Sequence, residues 1–113
     1  MIQFKGMLYL DFESESEEVH YKAEVTRAIK RPNELVLDFK GMDPDSGPYS
    51  GRCSLAESKG IYKGVGEFSS KGDITSAFIE ATAEEFEGGM HLQGTWTDDG
   101  ETDSYKLEIE LEI

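Results

Sequence analysis

The sequence alternates apolar and polar residues with a period of two along most of its length. The last nine residues, YKLEIELEI (105–113), show this most clearly, because apolar residues alternate there with one lysine and three glutamates. Successive side chains of a β-strand point to opposite faces, so the pattern predicts a strand with one buried and one solvated face. Strands of this kind are typical of antiparallel sheets.

Eight segments have this alternation or a strand-like composition. They are 2–12, 19–25, 34–40, 48–55, 61–68, 74–86, 90–96 and 105–113, and turn signals such as Pro32-Asn33 and Asp99-Gly100 separate them. The Asp-Gly pair predicts a two-residue type I′ hairpin. Short loops favour sequential antiparallel neighbours, so the sequence predicts one domain, 1–113, that folds as an antiparallel up-and-down β-barrel of about eight strands. Pairing of the first strand with the last would close the barrel and remove two exposed edges.

Two segments also fit a helix. In DITSAFIEATAEEFEGG (73–89), Ile74, Phe78 and Ala81 recur at helical spacing, and the Gly-Gly pair is a good helix stop. Residues 16–32 likewise place Tyr21, Val25 and Ile29 four residues apart. The alternative fold is therefore α+β, with a helix at 73–87. We favour a strand in both segments, since the meander would otherwise lose a member.

The charge of the chain limits its partners. Its 24 acidic and 11 basic residues give a formal net charge of −13. Nucleic acid as a direct ligand and anionic membrane surfaces are disfavoured, because both need clustered Lys and Arg. The acidity is compatible with solubility alone, or with a basic protein partner, for which the chain could imitate nucleic acid. The sequence leaves the oligomeric state open, a homodimer included.

The only cysteine is Cys53, so no internal disulfide requires an oxidising compartment. The N-terminus lacks the features of a secretory signal, and no stretch approaches the roughly 20 apolar residues of a membrane span. A cytoplasmic location is the expectation.

No motif indicates an enzyme, a cofactor or a metal. GVGEF (64–68) lacks the third glycine of a dinucleotide loop, and DPDSG (43–47) lacks the later ligands of a calcium loop. His20 and His91 fall on the predicted solvent face, where a lone histidine is usually only polar. Cys53 falls on the apolar face and is expected to be a small core residue. We therefore expect a protein without catalytic residues, although a barrel interior can hold an acid/base pair that sequence spacing does not reveal.

Glycines on the apolar face are the best lead to function. PYSGRCSL (48–55) and IYKGVGEF (61–68) share the frame Tyr-x-Gly-x-small-x-apolar, and Gly6 and Gly94 fall on the same face. These glycines either allow sharp coiling and close packing of rings on the backbone, or leave a cavity in the barrel. We favour curvature and packing. In the cavity hypothesis, the large residues between the glycines would form the walls of a ligand site: Tyr21, Tyr49, Tyr62, Met90, Trp96 and Tyr105.

The fragment GTWTDDG (94–100), together with the eight-strand meander, resembles avidin-like and other small calycin-type barrels in length and strand order. The resemblance implies small-molecule binding in the barrel mouth. No ligand-binding set of these families maps onto the chain residue by residue, so none is assigned. We expect a non-catalytic module that binds a small apolar or aromatic ligand in the barrel. The alternative is an acidic interaction module that engages a basic partner.

Overall fold

Every segment with strand-like alternation forms a β-strand in the computed structural model, which describes residues 2–113. The eight strands are β1 (Ile2–Glu13), β2 (Glu18–Arg31), β3 (Glu34–Asp43), β4 (Gly47–Ser58), β5 (Ile61–Ser70), β6 (Asp73–Phe86), β7 (Gly89–Asp98) and β8 (Tyr105–Glu112). Each strand pairs antiparallel with its neighbours in the sequence, and β1 pairs with β8. The protein is thus a closed, eight-stranded, all-antiparallel β-barrel, as the alternation predicted. Within the described chain there is no helix that could cross a membrane.

The first and last strands close the barrel. They are in register from Lys5 opposite Glu112 to Asp11 opposite Lys106. The inward residues Leu8 and Ile109 face each other across this seam and are both fully buried. Lys5 lies opposite Glu112, at the end of the outward glutamate row of β8.

The segment with the strongest helical alternative is strand β6. Its inward residues Ala77, Ile79 and Ala81 are buried, whereas Ile74 and Phe78 lie on the outer wall and are 67% and 65% exposed. The apparent helical spacing therefore combined residues from opposite faces of one strand. The alternative with a helix at 73–87 is wrong, because β6 completes the hydrogen-bonded ladders of both β5 and β7.

A β-bulge interrupts the alternation in β2. Val25 pairs with Phe39 and Arg27 pairs with Asp38, so Thr26 has no direct partner on β3. As a result the buried positions change from odd to even numbers, with Val25 and then Ala28 facing the core. Such bulges increase local twist and bend, which a small closed barrel requires.

Two hairpins use lysine and glycine in left-handed backbone conformations. Lys59 and Gly60 have φ of 54° and 82°, and Lys71 and Gly72 have 53° and 83°. Positive φ at both central residues is the type I′ geometry that matches the twist of the flanking strands. The prediction of this turn at Asp99-Gly100 is wrong. Only Gly100 has a positive φ there, and a six-residue loop, 99–104, joins β7 to β8.

The two ends of the barrel differ. We call the end formed by loops 14–17, 44–46, 71–72 and 99–104 the mouth, and the end formed by turns 32–33, 59–60 and 87–88 the base. Longer loops lie at the mouth, and most of the aromatic rings lie near it.

Candidate functional site

The barrel interior is filled by side chains. Trp96 and Phe39 are 1% and 2% exposed, and their rings pack edge to face with centroids 6.2 Å apart. Around them lie fully buried aliphatic residues from five strands: Leu8, Leu10, Leu35, Leu37, Leu55, Met90, Leu92, Leu107, Ile109 and Leu111. No charged residue of the described chain is buried with them. An interior of this size in an eight-stranded barrel is just large enough for such side chains.

The inward glycines are sites of close contact rather than empty space. A Cβ atom on Gly66 would lie 2.6 Å from Cζ3 of Trp96 and 2.8 Å from Cδ1 of Ile79. A Cβ atom on Gly64 would collide with the backbone carbonyl oxygen of Ser54 on β4. Gly66 therefore makes room for the indole ring, and Gly64 lets two strands approach closely. These contacts support curvature and packing over the cavity hypothesis.

Aromatic rings cluster toward the mouth. Tyr49 and Phe68 stack with centroids 4.9 Å apart, and Tyr21 packs against both at 5.5 and 5.3 Å. Tyr105 lies 6.2 Å from Tyr21 and 5.6 Å from Phe12. Offset and edge-to-face pairs at these distances stabilise the cluster beyond the area they bury.

A small cavity opens at the centre of this cluster. Its volume is about 160 Å³, and its lining residues are Leu10, Tyr21, Phe68, Thr75, Trp96, Asp98 and Tyr105. We call it the mouth cavity. Cavities of about 150 Å³ with apolar walls bind molecules of the size of benzene. The mouth cavity is therefore large enough for a ligand of that size, and the filled interior below it limits how deep such a ligand can reach.

Hydrogen bonds hold two of the rings in place. The Tyr49 hydroxyl donates to the backbone carbonyl of Lys22 at 2.9 Å. The Trp96 indole N–H donates to Oδ1 of Asp98, also at 2.9 Å. These bonds satisfy the polar atoms of two otherwise buried side chains and fix their orientation at the mouth.

The six residues predicted to form a ligand site divide between the two ends. Tyr21, Trp96 and Tyr105 line the mouth cavity, and Tyr49 packs directly behind it against Phe68. Tyr62 and Met90 are buried toward the base, at the starts of β5 and β7. The barrel therefore brings four of the six together.

Sequence reasoning missed four lining residues of the cavity: Leu10, Phe68, Thr75 and Asp98. Phe68 ended the glycine frame of β5, so its position on the inward face was visible in the sequence. Asp98 follows Trp96 by two residues on the same face of β7. Its role was not visible, because the acidic residues 98–103 fit a solvated turn equally well.

Burial and nearby carboxylates act on the tyrosines of the mouth. Burial, followed by the negative charges of Asp43, Asp98 and Glu17, raises the pKa of Tyr21. For Tyr105, burial is again the largest cause of a raised pKa, and several acidic neighbours add to it. Both phenols therefore stay protonated at neutral pH and offer hydrogen-bond donors, not charge.

The two histidines lie on the outer wall. Nδ1 and Nε2 of His20 each contact a carboxylate at 2.6 Å, from Asp11 and Glu18 respectively. The hydrogen bonds to Glu18 and then to Asp11 raise the pKa of His20. The contact with Asp11 links β2 to β1 near the mouth. His20 therefore acts as a surface residue that binds two carboxylates.

His91 belongs to the best group of metal-ligand atoms on the outer wall. One ligand atom each from His91, Glu108 and Glu110 lie within 4.8 Å of one another. Nε2 of His91 is buried without a hydrogen-bond partner and lies 3.7 Å from Oε2 of Glu108. This set could hold a divalent ion such as Zn²⁺. The sequence did not reveal it, because cross-strand pairing brings the residues together.

Comparison with known proteins identifies the architecture alone. No protein-family model and no curated protein matches the chain. Among solved structures, a redesigned β-barrel named b11L5F_LGL is similar, with a TM-score of 0.54 and 14% sequence identity. The match covers 98% of this chain and 88% of that chain. It supports the closed antiparallel β-barrel and carries no information on function.

Proposed function

We propose that this protein is a non-catalytic binding module that takes a small, partly apolar or aromatic ligand at the barrel mouth. The observation that carries the proposal is the mouth cavity, with Tyr21, Phe68 and Trp96 in its walls. Concave sites with aromatic walls and few polar groups are typical of small-molecule binding. The volume of the mouth cavity, about 160 Å³, is below the usual volume of pockets that bind drug-sized ligands, so the expected ligand is small.

The position of the cavity at the mouth changes where in the barrel a ligand is expected to bind. Because Trp96 and Phe39 fill the interior below, the ligand would rest on the ring cluster and not deep between the strands. Tyr62 and Met90, near the base, then act as core residues. We further propose a cytoplasmic location, which the single buried Cys53 supports, since the fold needs no disulfide.

The test uses phenol and toluene as probes with the complete chain. In ¹H–¹⁵N spectra, we expect saturable shift changes concentrated around the mouth cavity and a change in Trp96 fluorescence. The substitution Thr75→Phe should block the cavity and abolish both signals. Thr75 is exposed at the rim, so the larger ring should not disturb the core.

The matched control is Ser76→Phe, which places the same ring one residue further along β6 on its outer face. This variant should bind as the parent does. Binding that survives Thr75→Phe, or the absence of any saturable binding by the parent, would contradict a ligand site at the mouth.

A groove on the outer wall favours a second candidate function, binding of a basic protein segment. The groove has a volume of about 440 Å³ and combines apolar Met7 and Phe86 with the carboxylates of Glu84, Glu110 and Glu112. Phe86 is 56% exposed, which leaves a large apolar ring uncovered beside the carboxylates. The arrangement is complementary to a peptide that carries both apolar and cationic side chains.

A peptide of alternating Leu and Lys, with a Leu/Glu peptide as control, tests the second candidate. We expect selective binding of the Lys peptide that weakens between 20 and 300 mM NaCl, because surface charges are screened over about 10 Å at 0.1 M salt. The double variant Glu110→Gln and Glu112→Gln should bind the Lys peptide more weakly than the parent protein does. Equal binding of both peptides, or no binding, would remove this candidate.

A further inference from the structure

The mouth cavity lies in a strongly negative part of the surface. Asp98 is in its wall, and a neighbouring depression of about 280 Å³ shares Asp98 and Tyr105 with it. That depression adds three more carboxylates, from Glu17, Glu101 and Asp103. Neither set of lining residues includes a lysine or an arginine. The residues that line the two depressions therefore present negative charge to a ligand, with no cation among them.

The aromatic walls add to this preference. The rings of Tyr21, Phe68, Trp96 and Tyr105 surround the cavity, and Tyr21 lies within 6.2 Å of both Phe68 and Tyr105. Aromatic faces carry negative electrostatic potential and attract cations within about 6 Å. This attraction is stronger where the cation is desolvated, as it would be inside a partly enclosed cavity.

Asp98 is already held in position. Its Oδ1 accepts the indole N–H of Trp96 at 2.9 Å, which aligns the carboxylate with the ring cluster before any ligand arrives. A fixed carboxylate beside aromatic rings needs no reorganisation to receive a positive charge. Burial first, and then the nearby carboxylates, raise the pKa of Tyr21 and Tyr105, so both phenols are neutral hydrogen-bond donors beside the cavity.

We infer that the mouth cavity selects small organic cations, with an alkylammonium group seated among Tyr21, Phe68, Trp96 and Tyr105 and the carboxylate of Asp98 beside it. The inference rests on the proposed function and specifies its ligand class. A trimethylammonium group suits the site, because it is compact, weakly hydrated and without hydrogen-bond donors. A metal ion or inorganic cation would leave the apolar walls unused.

Choline and its neutral carbon analogue, 3,3-dimethylbutan-1-ol, form the test pair. They have nearly the same shape and differ at one atom, the nitrogen or carbon that carries the three methyl groups. We expect choline to bind at least about tenfold more tightly, a factor within the range of a partly desolvated cation–π site. Titrations of the complete chain, followed by ¹H–¹⁵N spectra and Trp96 fluorescence, give both affinities.

Variants that remove carboxylates next to the cavity test whether negative charge contributes to choline binding. The double variant Glu101→Gln and Asp103→Asn should weaken choline several-fold and leave the neutral analogue unchanged. Both residues lie in the exposed loop 99–104, so the fold should be retained. The control is Glu87→Gln, in the turn at the base, which should change neither affinity.

The outcomes are distinguishable from those of the proposed function. Equal affinity for the two compounds, or a choline site that survives Thr75→Phe, would overturn the cation preference. Binding of phenol or toluene at the mouth without binding of choline would also overturn it, while the ligand-binding function stands. If none of the four probes binds, both proposals fail. Selective binding of choline that Thr75→Phe abolishes would support both.

Discussion

At the scale of single residues, glycine and tryptophan are complementary in this barrel. Gly66 faces Cys53 across the β4–β5 ladder, and the indole of Trp96 from β7 fills the space above the glycine. The same principle appears at Gly51, where a Cβ would collide with the ring of Phe39. Large rings therefore occupy volume that neighbouring positions leave free.

We predict that Gly66→Val destabilises the protein by about 1–3 kcal/mol, the usual cost of overpacking a filled core. The added methyl groups would meet Trp96 and Ile79, whose atoms already lie within 2.8 Å of an ideal Cβ. Thermal or urea unfolding measures the change. The control, Glu67→Val, places the same side chain on the outer face of β5 and should cost little. An unchanged or raised stability in Gly66→Val would show that the interior holds free space.

Cys53 provides a second test at this scale. It is fully buried, and burial raises the pKa of its thiol to about 12, so almost no thiolate exists at pH 8. We predict no reaction with a thiol reagent such as DTNB in the folded protein and full reaction in denaturant. In the control variant Ser54→Cys, the new outward thiol should react within seconds to minutes. Similar rates for the two thiols would contradict the inward orientation of Cys53.

At the scale of strands, β6 shows that a side chain's orientation, toward the core or toward solvent, decides how much it contributes to stability. Phe78 and Ile79 are adjacent and both apolar, yet Phe78 is 65% exposed and Ile79 only 2%. A helix would have placed Phe78 and Ala81 on one buried stripe. In the strand, Phe78 points outward beside Val65 of β5.

This difference predicts opposite effects of two neighbouring alanine substitutions. Ile79→Ala should destabilise the protein by about 2–5 kcal/mol, because it leaves a cavity beside Trp96. Phe78→Ala should change stability by only about 0.5 kcal/mol, as is usual for exposed positions. Unfolding curves of the two variants give the comparison. A cost for Phe78→Ala equal to that of Ile79→Ala would mean that the outward face of β6 is covered.

At the scale of the whole molecule, charge opposes folding and closure favours it. The net charge of −13 lies on a shell around an uncharged interior. Cross-strand pairs such as Arg52 with Asp38 and Lys63 with Glu80 relieve only part of this repulsion. In the described residues, pairing runs continuously around the barrel, which removes the long exposed edges that favour aggregation.

We therefore predict that NaCl raises the melting temperature. Screening of self-repulsion between 10 and 200 mM salt should raise it by roughly 4 °C or more, which corresponds to about 1 kcal/mol in a domain of this size. Glu108 and Glu110 on the outer face of β8 lie opposite no lysine or arginine. Their replacement by glutamine should raise the melting temperature at low salt and reduce its salt dependence. A melting temperature that is flat or falls with NaCl would show that repulsion contributes little.

By itself, the sequence determined the all-β fold, the strand order, the closing pair and the inward face of most strands. These properties follow from local rules, since alternation and turn residues act over a few positions. Only the tertiary structure decided that Ile74 and Phe78 face outward, that loop 99–104 is long, and that Tyr21, Trp96 and Tyr105 meet at the mouth while Tyr62 and Met90 lie toward the base. The tertiary structure also places Asp98 against the Trp96 ring, and His91 close to Glu108 and Glu110. Contacts between strands, such as those of His91 with Glu108 and Glu110, depend on the register of the paired strands, which sets the distances between residues far apart in the chain.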